Sequence, residues 1–329
     1  MLELLKKVLK PVAPSGLEEP VAAVIREEVA PYVDSIETDA LGNLICVKNG
    51  TEANPEKIML SAHMDHIGYI VTGIEKEGFL RVTNVGGISP TMSLTRHVSF
   101  PNGVQGVVVS EVSKDTAMKD LFVDIGAQDK ADAETMVQIG DVCVYANDCF
   151  QLGANRVASP AMDDRAACAL LIRFLQTVGA TKQTIIAVFS VQEEVGCRGA
   201  KGAAFQQEPD IGIVLEGTTC NDLGDVPETA HVCEAGQGVA VSFMDGASIA
   251  NRALFRKALD VAKQENIPHQ VKHSVSGGND GGAIQRAREG VPVVVLSVPC
   301  RYIHSPSSVV KLSDVESQFA LVKALVKAL

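Results

Sequence analysis

Glu193 and Glu194 stand side by side in SVQEEVGCRGA, between an apolar run and a glycine-rich turn. Adjacent carboxylates repel each other unless a positive charge separates them or each faces a different partner. Other segments offer groups that could resolve this: His63, Asp65 and His66 in SAHMDHIG, Asp163 and Asp164 in SPAMDDRAACALLI, Glu216 in IVLEGTT, and His304 in VPCRYIHSP. Two imidazoles with at least three carboxylates make a mixed nitrogen and oxygen donor set suited to two divalent ions. Zinc lowers the pKa of bound water to about 7, and two ions ~3.5–4 Å apart can serve both a nucleophile and a carbonyl. A carboxylate must bridge ions at that spacing, and Asp163 is the natural bridge. Asp65, two residues past His63, is placed to accept the other imidazole N–H and fix its tautomer. One of the paired glutamates would then bind an ion while its neighbour takes a proton from the activated water.

Taken singly, each group has an ordinary explanation, such as a helix cap for an Asp or a solvated face for Glu-Glu. Their common position argues for chemistry. KIMLSA runs into His63, TIIAVFSV into Glu193, IGIVL into Glu216, and VPVVVLSVP into the segment ending at His304. All four runs read as buried strands, and in open α/β sheets ligands bind beyond the strands' carboxyl ends. Asp163 and Asp164 open a helix running to Val178 and closed by Gly179, where a carboxylate also suits the helix dipole. Asp280, in SGGNDGGAI, reads as the N-cap of a short helix, and another helix is predicted over Ser248–Gln264.

Between these segments the texture changes. From Ile67 to Asn155 the short β-rich runs EGFLRVTNVGG, HVSFPNGVQGVVVS, DLFVDIG and GDVCVYAND are punctuated by Gly, Asn and Pro. The expected architecture is α/β: a mixed, largely parallel sheet between helices, with an inserted small all-β domain. Residues 1–66 and 156–329 would form the catalytic domain, and 67–155 the insert.

At 329 residues, 46% of them apolar, the chain can bury a sizeable core. A formal charge of −11 repels a phosphate backbone, which argues against nucleic acid as a partner. No apolar stretch is long enough for a membrane span, and MLELLKKVLKPVAPSG reads as an amphipathic helix rather than a signal peptide. A cytoplasmic location is expected. The eight cysteines have no regular spacing and most read as buried thiols, and His97, His231, His269 and His273 fall in no ligand pattern.

In order and over nearly the whole chain, SAHMDHIG, SPAMDDRAACALLI, VQEEVGCRGA, IVLEGTT, SGGNDGGAI and VPCRYIHSP resemble the dinuclear metallo-aminopeptidases that include glutamyl aminopeptidase and the tetrahedral (TET) aminopeptidases, some labelled endoglucanase. The hundred positions between His63 and Asp163 leave room for the β insert that this family carries. The resemblance implies two divalent metal ions per subunit, zinc or cobalt with manganese as a third candidate. It makes His63, Asp163, Glu194, Glu216 and His304 the ligands and Glu193 the general base; Asp65, through the His63 tautomer, is counted with Glu193 as catalytic. It implies a cis peptide after Asp163, short peptides as substrates, and a dimer-based dodecamer in which the β insert aids assembly and substrate access. Glu216 and His66 depart from the family, where Asp and Glu are commoner, and Arg301 and Tyr302 read as supports for His304.

Other classes fit less well. A deacylase would share ions and base. A glycoside hydrolase would need two carboxyls and no imidazoles, and the chain has no Trp and only 4 Tyr to stack on sugars. A non-enzymatic assembly protein would be expected to have lost ligands.

Overall fold

The computed structural model describes residues 1–111, 115–146, 149–275 and 277–329. Asn147 and Asp148 of GDVCVYAND and Ser276 of SGGNDGGAI lie outside them. Among the described residues eleven strands form one sheet. Its path is Ser35–Thr38, Leu44–Lys48, Thr184–Ser190, Lys57–His63, Ile211–Thr219, Val293–Arg301, Ser308–Lys311, Arg156–Ser159 and Phe150–Leu152; Val239–Ser242 and His269–Val271 branch from Val293–Arg301. The central four, from Thr184–Ser190 to Val293–Arg301, are mutually parallel, and the flanking pairs along the path are antiparallel.

Alternation along these strands explains the layers. Ile58, Leu60 and Ala62, with Ile185, Ala187 and Phe189, join a core under the helices Leu2–Leu9, Glu19–Val29, Met162–Thr177, Arg252–Gln264 and Leu312–Ala328. The intervening Met59, Ile186, Val188 and Val214 pack on the other face under Arg198–Gln207 and Asp280–Gln285. Strands covered on both faces must be apolar at nearly every position, which is why these runs read as continuous. Two helix starts differ from expectation. Asn251 caps Arg252–Gln264 by accepting from Ala253 N and Leu254 N, so that helix begins after Ser248. Asn279, not Asp280, caps the short helix, accepting from Gly281 N at 2.9 Å.

The β-rich block closes into a barrel of antiparallel strands: Gly68–Ile74, Leu80–Val85, Leu121–Asp124, Gln105–Ser110, His97–Ser99 and Val142–Tyr145. It has its own core, including Tyr69, Leu80, Val98, Val108, Val123 and Tyr145. Phe150–Leu152, by contrast, pairs with Arg156–Ser159 in the large sheet.

Candidate metal centre

Because the central strands are parallel, their carboxyl ends share one edge. His63 is the last residue of its strand, Glu193 and Glu194 follow Ser190, and His304 lies in the turn after Arg301. Glu216 sits within Ile211–Thr219, which runs three residues beyond Glu216 itself. Asp163 enters from the start of Met162–Thr177, where Asp163 and Asp164 have non-helical backbones and the peptide joining them is cis.

Asp163 stands between two groups. Its Oδ1 is 3.3 Å from His63 Nε2, which is also 3.3 Å from Glu216 Oε1. Its Oδ2 is 3.4 Å from His304 Nε2, which is 3.2 Å from Glu194 Oε2. Two triads of ligand atoms, His63–Asp163–Glu216 and Asp163–Glu194–His304, therefore meet at one carboxylate. Atoms bound ~2.0–2.2 Å from a tetrahedral zinc lie about 3.3–3.6 Å from one another, so these separations suit a cation in each triad. Asp163 Oδ1, Glu194 Oε1 and Glu216 Oε2 are buried without a hydrogen-bond donor, a deficit that a cation in each triad would satisfy. The adjacent glutamates part company here. Glu194 turns to His304, while Glu193 Oε2 is 3.9 Å from His63 and its Oε1 accepts from the Cys197 thiol at 3.3 Å.

Electrostatics tell the same story. Burial, reinforced by Asp280, Glu194 and Asp163, pushes the Glu193 carboxyl up to about 8. Burial likewise raises Glu194, and raises Glu216 strongly. Burial alone would lower both imidazoles, but it is outweighed: Glu216, Asp163 and Asp65 hold His63 well above its ordinary value, and Asp163 and Glu194 lift His304 to about 10. Asp163, although buried, is held below the usual carboxylate range by the two histidines. The pocket is short of positive charge, which divalent ions would supply.

The supports come from distant segments. Four consecutive N–H groups, from Val191 to Glu194, each donate to a side-chain oxygen: Asn43 Oδ1 at 3.0 Å, Glu18 Oε1 at 3.0 Å, and Asp65 Oδ1 and Oδ2 at 3.0 and 3.1 Å. Asp65 also accepts from Ser15 Oγ at 2.6 Å. Its carboxylate thus chiefly holds the glutamate turn. The nearest acceptor to His63 Nδ1 is the backbone oxygen of Asp65 at 3.0 Å, with the carboxylate at 3.6 Å. A carbonyl only accepts, so this contact fixes the Nδ1–H tautomer and leaves the Nε2 lone pair facing Asp163 and Glu216. Arg165, fully buried, donates to the carbonyls of Met64, Val8 and Ala13, locking the loop after His63 to the first helix. Arg301 forms a two-pronged pair with Asp222 at 2.8 and 2.9 Å, bracing the chain before His304, whereas Tyr302 is exposed.

Of these, Ser15, Glu18 and Asn43 carry no recognisable motif, since PSGLEE reads only as the start of a helix, and Arg165, although inside SPAMDDRAACALLI, has no signal for its own role. Two glycines also matter. A Cβ on Gly87, just past the barrel strand Leu80–Val85, would lie 3.0 Å from His304 Nδ1, and one on Gly217 would lie 3.1 Å from Asp163 Oδ1. His66 is buried, its Nδ1 3.0 Å from Ile67 O, and burial together with Arg165 pushes it down to about 3. His97, His231, His269 and His273 join neither triad. All eight cysteines are unpaired.

A family model described as M42 glutamyl aminopeptidase matches residues 42–321. The lysyl aminopeptidase of Pyrococcus furiosus is 34% identical over 99% of this chain and 97% of its own. The structure of an aminopeptidase from the archaeon Desulfurococcus kamchatkensis superposes with a TM-score of 0.96 at 33% identity, covering 99% of this chain and 94% of that one. The TET1 peptidase of Pyrococcus horikoshii, which can assemble into a tetrahedron or a large octahedral shell, gives 0.88 at 32% identity over 100% and 99% of the two chains. The chain belongs to the M42 glutamyl aminopeptidase family and is a peptide hydrolase.

Proposed function

We propose that the chain is an aminopeptidase that removes amino-terminal residues from short peptides with the help of two divalent ions. His63, Asp163 and Glu216 would hold one, Asp163, Glu194 and His304 the other, and zinc or cobalt suits this donor set. The observation that carries the reading is the division of Asp163, one oxygen toward each triad. Such ions, when bound, lower the pKa of water and polarise a carbonyl. Glu193 belongs to neither triad, yet stands 3.9 Å from His63 Nε2 and lines a cavity of about 560 Å³ beside them. It takes the proton from the attacking water and returns it to the leaving amine. A carboxyl pushed up to about 8 by burial is drawn back toward neutrality by neighbouring cations, where a general base works best. Asp65 acts by fixing the turn that aims Glu193 and Glu194.

Residues 1–66 and 156–329, joined by the edge strand Phe150–Leu152, form the catalytic unit in this reading, with the barrel inside 67–155 serving assembly and access. A homo-oligomer, by analogy a dodecamer built from dimers, is supported by apolar side chains exposed on the edge strand at Phe150 and Leu152 and elsewhere at Phe205 and Ile249. Unpaired thiols throughout support a reducing, cytoplasmic setting. No described helix is long and apolar enough to cross a membrane.

The test is a panel of aminoacyl anilides, N-acetylated anilides and cellulose, assayed with zinc, cobalt or manganese before and after chelation. Hydrolysis of free-amine substrates that chelation abolishes is expected. Activity confined to acetylated substrates, or cellulose hydrolysis indifferent to chelator, would overturn the reading.

A further inference from the structure

Asp280 takes no part in either triad, and it is not the helix cap its position suggested. Its side chain, 1% exposed, accepts at Oδ2 from Ser190 Oγ at 2.5 Å and Ser61 Oγ at 3.0 Å. Its other oxygen, Oδ1, is buried and takes no hydrogen bond. One ligand atom each from Asp280, Glu193 and Cys197 lie within 4.8 Å of one another. The Cys197 thiol reaches this point because the residue, at φ 53°, turns the chain back just before Arg198–Gln207 and places Sγ 3.3 Å from Glu193 Oε1. A sulfur ~2.3 Å and an oxygen ~2.0–2.2 Å from a tetrahedral ion lie about 3.5–3.7 Å apart, close to that separation. Glu193 and Cys197 both line the cavity, so an ion has a route in.

We propose that Glu193, Cys197 and Asp280 form a third cation site, separate from the two triads and selective for soft ions such as zinc and cadmium. A thiolate with two carboxylates favours such ions over magnesium or manganese, which prefer oxygen alone. On binding, the thiol proton passes to solvent and the sulfur–metal bond forms, with no change of oxidation state. If Glu193 is the general base, as proposed above, filling this site withdraws it from the reaction, and excess zinc or cadmium inhibits.

The experiment loads chelator-treated protein with cobalt, then titrates cadmium. It follows cobalt content, the ultraviolet thiolate-to-cadmium absorption, and anilide hydrolysis relative to each variant's own cadmium-free rate. The wild type should take up cadmium without losing cobalt, gain the absorption, and lose activity in parallel. Cys197→Ser should lose the absorption and the inhibition, and Asp280→Asn should shift both to higher cadmium. An absorption that persists in Cys197→Ser, or cadmium entering only as cobalt leaves, overturns the site. Absorption lost in Cys197→Ser while wild-type hydrolysis never responds to cadmium overturns the inhibition but keeps the site. Absence of hydrolysis in every sample refutes the aminopeptidase reading alone, since uptake and absorption are read independently.

Discussion

Asp65→Asn is the substitution on which the support scheme makes its sharpest statement. The carboxylate accepts three hydrogen bonds, from Ser15 Oγ, Glu193 N and Glu194 N. Asparagine keeps the shape but offers one acceptor oxygen, so one of the two backbone donors must face an NH₂ group. Leaving that N–H unsatisfied costs about 1–3 kcal/mol, and a hydrogen bond to a charged acceptor is lost with it. The turn relaxes by moving Glu193 and Glu194, and a displacement of the order of 1 Å at such a site costs about 10²-fold in rate. Stability should therefore fall by about 1–3 kcal/mol and turnover by ~10–100-fold, the range found when residues behind metal ligands are changed. The assay pairs denaturant unfolding with anilide hydrolysis at saturating metal. His63 keeps its backbone acceptor, so metal content at saturation should hold. A variant with wild-type turnover and stability would refute the argument. So would one that loses metal yet keeps its rate once metal is resupplied, because the carboxylate would then be serving the ion and not the turn.

Other changes probe separate parts of the same reasoning. Glu193→Gln should retain metal, measured by elemental analysis, and lose ~10²–10⁴-fold in turnover, whereas Asp163→Asn should lose metal. Gly217→Ala would put a Cβ 3.1 Å from Asp163 Oδ1; overpacking of this kind costs about 1–3 kcal/mol, read as weaker metal retention against a chelator. Arg165→Met strands three buried carbonyls, so unfolding in denaturant should show a loss of at least ~3 kcal/mol. For pH, the folded Glu193 carboxyl sits near 8 against an ordinary 4.5, and His304 near 10 against 6.5. Groups raised on folding bind more protons in the native state, so their stabilisation is complete below the unfolded values and is lost as pH rises through the folded ones. Chelator-treated protein should melt at falling temperature between about pH 5 and 10, and added divalent ion should flatten or reverse that slope, since its binding strengthens as protons leave.

How far this was legible from sequence depends on what each residue answers to. The candidate ligands could be picked out because strand ends announce themselves: KIMLSA, TIIAVFSV and VPVVVLSVP are largely apolar, and the acids and imidazoles at their termini stand out. The β character of the insert was readable from its turn residues, whereas its closure into a barrel was not. What escaped were side chains whose function is to satisfy backbone donors elsewhere. Glu18 and Asn43 meet the turn at Val191 and Gln192 across well over a hundred positions of chain, and no local periodicity encodes such a meeting. For Asp65, spacing from His63 pointed to the imidazole, and its carboxylate does lie 3.6 Å from His63 Nδ1, but the backbone donors it accepts from, in the turn after Thr184–Ser190, are far away in sequence and left no local signal. Asp280 was misread for a related reason. Asn279 and Asp280 are equally good caps by residue type, and the buried Ser61 and Ser190 hydroxyls, invisible in the local sequence, decide between them.

The common thread is that the candidate ligands arrive on segments braced by residues that touch no ligand atom of the triads. Asp222 braces the approach to His304 through Arg301, Arg165 fixes the loop after His63, and three separate segments grip the glutamate turn. This answers an energetic problem. Carboxylates gathered in a buried pocket repel one another and resist desolvation, so without outside bracing the edge would relax by splaying its acids toward water. Few hydrogen bonds from backbone N–H groups go to the candidate ligands themselves: Glu216 Oε1 accepts one from Gly217 N at 3.2 Å, while Asp163 Oδ1, Glu194 Oε1 and Glu216 Oε2 accept none. The neighbouring acids Asp65 and Glu18 accept them instead. Rigidity is thereby assigned to one set of carboxylates and reactivity to another, and a substitution in the first set should change where the second points without changing what it is.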